Sequence, residues 1–155
     1  SVVQIVGEFE DKLNAADLTL LIQKPETPVY VMADGRHFWR VIDNLMNNIC
    51  KYAQPGTRVY VDLRENGGQV ELIFRNTSRY PLNISSEELM ERFVRGDESR
   101  NTEGSGLGIS IAKSLMELMG GSFMLYVDGD LFKVVLGFAQ VEEEKEPLDE
   151  DKSGK

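Results

Sequence analysis

The chain has one cysteine, Cys50, and one histidine, His37. A single cysteine excludes an internal disulfide, which suits a reducing cytoplasm. No stretch approaches the roughly 20 apolar residues of a membrane-spanning helix. No secretory leader precedes the first amphipathic run, and from Ser1 the chain reads as a piece of something longer. Positive charge is scarce: 17 Lys and Arg stand against 26 Asp and Glu, for a net charge of -9. That balance argues against nucleic acid or an anionic membrane as partner. No segment repeats another. No G-x-x-x-x-G-K-[ST] loop occurs, so a P-loop is excluded.

What remains fits one domain. A chain of 155 residues, 41% hydrophobic, can bury a core without staples. Val2, Val3, Val6, Phe9 and Leu13 fall near helical spacing and predict a first helix. LTLLIQ and VYVM, with Pro25 and Pro28 between them, predict strands over 18–23 and 29–32. Asp34 is placed to cap a helix over 36–53, which Gln54-Pro55-Gly56 ends. Val59, Val61 and Leu63 alternate, as do Val70, Leu72 and Phe74, around Asn66-Gly67-Gly68. That is a hairpin. Ser85 or Ser86 with Glu88 opens a short helix ending near Phe93. Residues 95–105 form a polar, glycine-bearing loop. A second long helix over 107–119 closes on Gly120-Gly121. SFMLYVDGDLFKVVLGFAQ is a last hairpin. The acidic end, EEEKEPLDEDKSGK, lacks aromatics and reads as a disordered tail. Hairpins separated by helices predict an α+β, two-layer sandwich, with helices on one face of a mixed, mostly antiparallel sheet.

The helix RHFWRVIDNLMNNICKYA holds three asparagines, although Asn is a poor interior helix residue. Phe38, Val41, Ile42, Leu45, Ile49 and Ala53 share one arc, the core face. Asn44, Asn48 and Lys51 form a second stripe, roughly 110° from the centre of the first. Amide oxygens suit a hard cation such as Mg²⁺, and a lysine suits phosphate. Taken alone, the stripe reads either as a pocket edge or as a solvated polar face. Gly104, Gly106 and Gly108 open the second long helix, where bare N–H groups and the helix dipole favour an anion. Taken alone, they read more readily as a flexible loop with a helix cap.

Together these motifs resemble a known family. NLMNNICKYA is similar to the N box of sensor histidine kinase catalytic domains. ERFVRGDESRNTEGSGLG is similar to their F box, ATP lid and G2 box, and DGDLF stands where a last glycine box stands. The resemblance runs from about Leu18 to Phe138 and implies the Bergerat ATP-binding fold, shared with gyrase, mismatch-repair ATPases and anti-sigma-factor kinases. It implies that ATP and Mg²⁺ bind. Asn48 would coordinate Mg²⁺ with the phosphates, Asn44 would support the phosphate side, and Lys51 would contact phosphate. Tyr52 would pack against adenine. Arg95 would steady the transferred phosphate. Gly104, Ser105, Gly106, Leu107 and Gly108 would line the lid side of the nucleotide. Asn76 falls where the family places an adenine-binding aspartate, so a neutral acceptor replaces a charged one and binding should weaken. Met90 replaces the first F-box aromatic, and Asp130 stands where Thr or Ser is usual.

The resemblance also implies organisation and partners. Residues 1–14 would continue from a dimerisation and phosphoacceptor domain outside this chain, 15–140 would bind ATP, and 141–155 would be the tail. The partners expected are that domain, a downstream response regulator and a second copy in a homodimer, with the full-length protein anchored in the cell membrane and this domain cytoplasmic. His37 lacks the H-[ED]-x-[RK] surroundings of a phosphoacceptor. Two alternatives remain at this point: an anti-sigma-type serine kinase on the same fold, and a non-catalytic module with a degenerate site.

Overall fold

The computed structural model describes residues 1–95 and 107–142. In chain order the elements are α1 (Val2–Gly7), α2 (Glu10–Ala15), β1 (Leu18–Gln23), β2 (Tyr30–Val31), α3 (Gly35–Tyr52), β3 (Thr57–Asn66), β4 (Gln69–Thr77), α4 (Ser86–Arg95), α5 (Leu107–Leu118), β5 (Ser122–Asp128) and β6 (Leu131–Val141). The strands form one six-stranded sheet in the order β1-β3-β4-β6-β2, with β5 also on β6. Only β1 on β3 is parallel; the other pairs are antiparallel. This is the mixed, mostly antiparallel sheet that the pattern predicts.

Two hairpins organise the sheet. Asn66 pairs Gln69 across Gly67 and Gly68, whose φ values of 58° and 83° only glycine adopts readily. Two positive-φ residues match the twist of the strands, as a type I′ turn does. Asp128 pairs Leu131 across Gly129 and Asp130, with Gly129 at φ 62°. Alternation then gives the sheet two faces. Val59, Val61, Leu72, Phe74, Val134 and Leu136 point under the helices and are buried.

Helix α3 lies across that face through the predicted arc, Phe38, Val41, Ile42, Leu45, Ile49 and Ala53, and Met46 joins them. The Asp34 carboxylate caps it, accepting from the N–H groups of Arg36 at 2.9 Å and His37 at 3.0 Å. Helix α5 ends as anticipated on the glycine pair. Gly121 N–H donates to Met116 O and Gly120 N–H to Glu117 O, with Gly120 at φ 79°. This is a Schellman closure. Ser85 Oγ accepts from Glu88 N–H to start α4, which runs on to Arg95 rather than stopping near Phe93.

The first helix departs from expectation. It is two short helices, broken between Gly7 and Glu10. Val6, Phe9 and Leu13 are buried nonetheless, and Phe9 rests against Trp39, ring centroids 6.2 Å apart. Packing on α3 overrides a single helical run at a weak helix former, Gly7. The second strand is also shorter than 29–32, and β6 continues through Val141, which the spacing places in the tail.

Two tests follow. A Cβ on Gly121 would sit 2.7 Å from the Gly137 carbonyl oxygen, a backbone atom with nowhere to go. Gly121→Ala should therefore cost about 1–3 kcal/mol, read as a lower urea midpoint. The cap's amide donors, His37's first, hold the Asp34 carboxyl below its usual value of 3.8. A depressed acid contributes stability above its unfolded pKa and loses it as pH falls through the folded one. Asp34→Ala should lower the thermal midpoint at pH 7, and the gap to the parent protein should close below about pH 4.

Candidate functional site

The three asparagines of α3 have separate surroundings. Asn47 is structural: its amide donates to Asp43 Oδ1 at 3.1 Å, and its oxygen accepts from the Lys12 ammonium of α2. Asn48, one helical turn beyond Asn44, is buried at 9% exposure, and Asn44 is half-buried. The Asn44 amide nitrogen is enclosed and has no hydrogen-bond partner among the described residues. A buried unpaired donor costs about 1–3 kcal/mol.

Helix α5 supplies the next wall. Gly108, in its first turn, approaches Asn44 so closely that a Cβ would lie 3.3 Å from Asn44 Oδ1. The positive end of that helix therefore abuts Asn44, and its first turn carries no acidic side chain to compete for the amides.

The end of β4 closes the far side. Gln54 N–H donates to Thr77 O at 2.8 Å and Arg79 N–H to Tyr52 O at 2.8 Å, so the last turn of α3 is pinned to the end of this strand. Ser78 N–H donates in turn to Asp130 O at 2.7 Å, which ties in the β5–β6 turn. Asn76, buried at 4%, alternates with Phe74 and so lies on the helix-covered face. It pairs in register with Phe132, whose ring meets Phe93 of α4 edge-on at 6.4 Å. Tyr52 is half-buried, and burial, then the neighbouring Tyr80, pushes its hydroxyl above the usual 10.0. The Lys51 ammonium lies 5.9 Å from the Tyr52 ring centroid at the exposed rim.

The structure thus places Asn44, Asn48, Lys51 and Tyr52 along α3, Gly108 of α5 against Asn44, and Asn76 on the helix-covered face of β4 just before the residues bonded to the end of α3. Gly104, Ser105 and Gly106 lie outside the described residues, as do the side chains of Arg95 and Leu107. Sequence reasoning missed Tyr80; only its place just after the Asn76 strand signalled it. Among the described residues no three His, Cys, Asp or Glu side chains gather as a metal site. The donor set fits a cation that arrives with phosphates: a buried amide oxygen, an unpaired amide donor beside it and a helix N-terminus.

Residues 33–147 match the family described as histidine kinase-, DNA gyrase B- and HSP90-like ATPases. The chain belongs to this family. The probable sensor kinase SilS of Salmonella typhimurium is 29% identical over 143 residues, covering 90% of this chain and 29% of its own length. The probable sensor protein PcoS of Escherichia coli is 34% identical over 110 residues, covering 68% of this chain and 24% of its own length. The nucleotide-free catalytic domain of histidine kinase ThkA superposes with a TM-score of 0.73 at 20% identity, covering 88% of each chain. The chain therefore has the fold of these ATPase domains and corresponds to the ATP-binding catalytic domain of a sensor histidine kinase. The serine-kinase and non-catalytic alternatives are not favoured. It spans under a third of the length of SilS and PcoS. No helix among the described residues is long and apolar enough to cross a membrane.

Gly108→Val tests the wall of this ATPase site. Its methyl groups would displace Asn44, so the Asn44 side-chain amide resonances should shift. ATP affinity should fall by roughly tenfold or more, about 1.4 kcal/mol.

Proposed function

We propose that this domain binds Mg²⁺-ATP between α3, the end of β4 and the start of α5, and donates the γ-phosphate to a histidine on a separate dimerisation domain. The unpaired, buried Asn44 amide beside Asn48 carries this reading. Asn48 would hold Mg²⁺ through its amide oxygen, and the ion would neutralise phosphate charge. Asn44 donates to a phosphate oxygen, and Lys51 offers a mobile cation to the same group. The adenine lies against Tyr52, and the Asn76 side-chain oxygen accepts from its exocyclic amine. By the family resemblance, Arg95 and the glycines Gly104, Gly106 and Gly108, with Ser105 and Leu107, would complete the phosphate side.

The same asparagine decides between transfer and hydrolysis. In hydrolytic relatives, a glutamate four residues before the metal ligand activates water. Here that residue is Asn44, and an amide is no base at neutral pH. Water attack stays slow until a better-placed nucleophile arrives. The imidazole nitrogen then forms the new bond to phosphorus as the bond to the ADP oxygen breaks. The reading extends to the full-length protein as a membrane-anchored homodimer that passes its phosphate to a response regulator.

Calorimetry with ATP, with and without Mg²⁺, tests the site. Asn48→Ala should remove the gain in affinity that Mg²⁺ gives the parent domain. Asn76→Asp restores a charged acceptor and should tighten binding several-fold, since charge-assisted bonds are roughly twice as strong. No binding at millimolar nucleotide, or an unchanged Mg²⁺ dependence in Asn48→Ala, would sink the assignment.

A further inference from the structure

Strand β5 is an edge of the sheet. It pairs β6 on one side, and among the described residues no strand pairs it on the other. Asp128 and Leu131 flank the two-residue turn of this hairpin, so they exchange hydrogen bonds with each other. The register then steps one for one to Ser122 opposite Gly137, with no bulge. Every second residue back from Asp128 therefore bonds β6, and the N–H and C=O groups of Val127, Leu125 and Phe123 point away from it. Natural edges are blunted by lysine, proline or a bulge, and the run SFMLYV has none of these.

Helix α4 faces this strand across a groove of about 730 Å³. Phe123 and Leu125 line it from β5, and Met90 and Val94 from α4, so much of its wall is apolar. The α4 wall also carries Glu87 and Glu91, neither of which has an ion pair among the described residues. Lys113 of α5 is the one cation lining the groove, and its ammonium already lies 2.5 Å from Glu117. On the open side of the same edge, Met124 and Tyr126 are 49% and 45% exposed, with the Lys133 ammonium 4.9 Å from the Tyr126 ring centroid and Asp128 at the strand's end. A free edge beside a helix is the layout on which an extended segment adds a strand and lays alternate side chains in the groove. Groove-facing residues of such a strand recur every 7 Å or so, and Glu87 and Glu91 are about 6 Å apart along their helix. Two cations at alternate positions would meet both acids. We propose that β5 and α4 form a docking groove for an extended segment of a partner protein, with Lys or Arg at two successive groove-facing positions and apolar residues on either side of them. Backbone pairing holds the segment, Met90 and Val94 receive its apolar side chains, and the two glutamates select its charge.

The probe is the acetylated peptide Val-Thr-Arg-Thr-Arg-Thr-Val, as long as β5, added to the isotope-enriched full chain. Without it, the amide protons of Phe123, Leu125 and Val127 should exchange faster than those of Met124 and Tyr126. With it, they should become protected, and the α4 resonances should shift. Methylating either the arginine amides or the threonine amides removes the donors along one edge of the peptide and leaves its charge unchanged. One pattern should abolish binding and the other should spare it. Glu87→Gln with Glu91→Gln should weaken binding roughly threefold to tenfold, as the loss of two exposed ion pairs does. Three results would each overturn the proposal: no binding at millimolar peptide, equal binding by the two methylated peptides, or undiminished binding to the double variant. Protection of Phe123 and Leu125 that grows with protein concentration in the absence of peptide would also overturn it, in favour of a second copy on the same edge.

Discussion

The site depends on how the last turn of α3 is fixed to the end of β4. Two backbone hydrogen bonds, Gln54 to Thr77 and Arg79 to Tyr52, set the helix's rotation over the sheet. With that rotation set, the apolar arc faces the core, and Asn44 and Asn48 face the space between α3 and α5. Asn76, just before the joint, is buried on the same helix-covered face of the sheet. Helix α5 can then approach closely, since Gly108 has no side chain to crowd Asn44. A helix turned by one residue would keep much of its burial and lose the site.

Most of the fold was legible because its punctuation is local. Gly67-Gly68, Gly129, Gly120-Gly121 and Asp34 each act within a few residues, and each element starts or stops where they predict. The break in the first helix was not legible, because Phe9 answers to Trp39, which is 30 residues away in sequence and supplied by α3. Asp62 was equally hidden. A buried acid on a strand makes sense only once Arg75 and Arg64 lie beside it. The N-box stripe was readable by helical geometry, but its meaning came from its order with the glycines. Asn47 shows the limit of that geometry. It shares the helix and residue type, yet its partners Lys12 and Asp43 give it a purely structural place.

In the proposed nucleotide site, Asn76 stands where the family resemblance implies an adenine-binding aspartate. Asn76, buried at 4%, is close to an aspartate in shape but carries no charge. Phe93, the retained F-box aromatic, is anchored on Phe132, the cross-strand partner of Asn76. Asn76 and α4 are thus linked by one cross-strand pair and one ring contact.

The parallel strand has a consequence for assembly. β3–β4 and β5–β6 are joined by two-residue turns and can form within microseconds, as isolated hairpins do. β1 finds its register on β3 only across α3, with Leu18 opposite Thr57. Closing so long a segment costs chain entropy before any contact rewards it. The β1 rim and the two short helices ahead of it should therefore dock last during folding and leave first during unfolding. That makes the N-terminal edge the natural fault line of the domain.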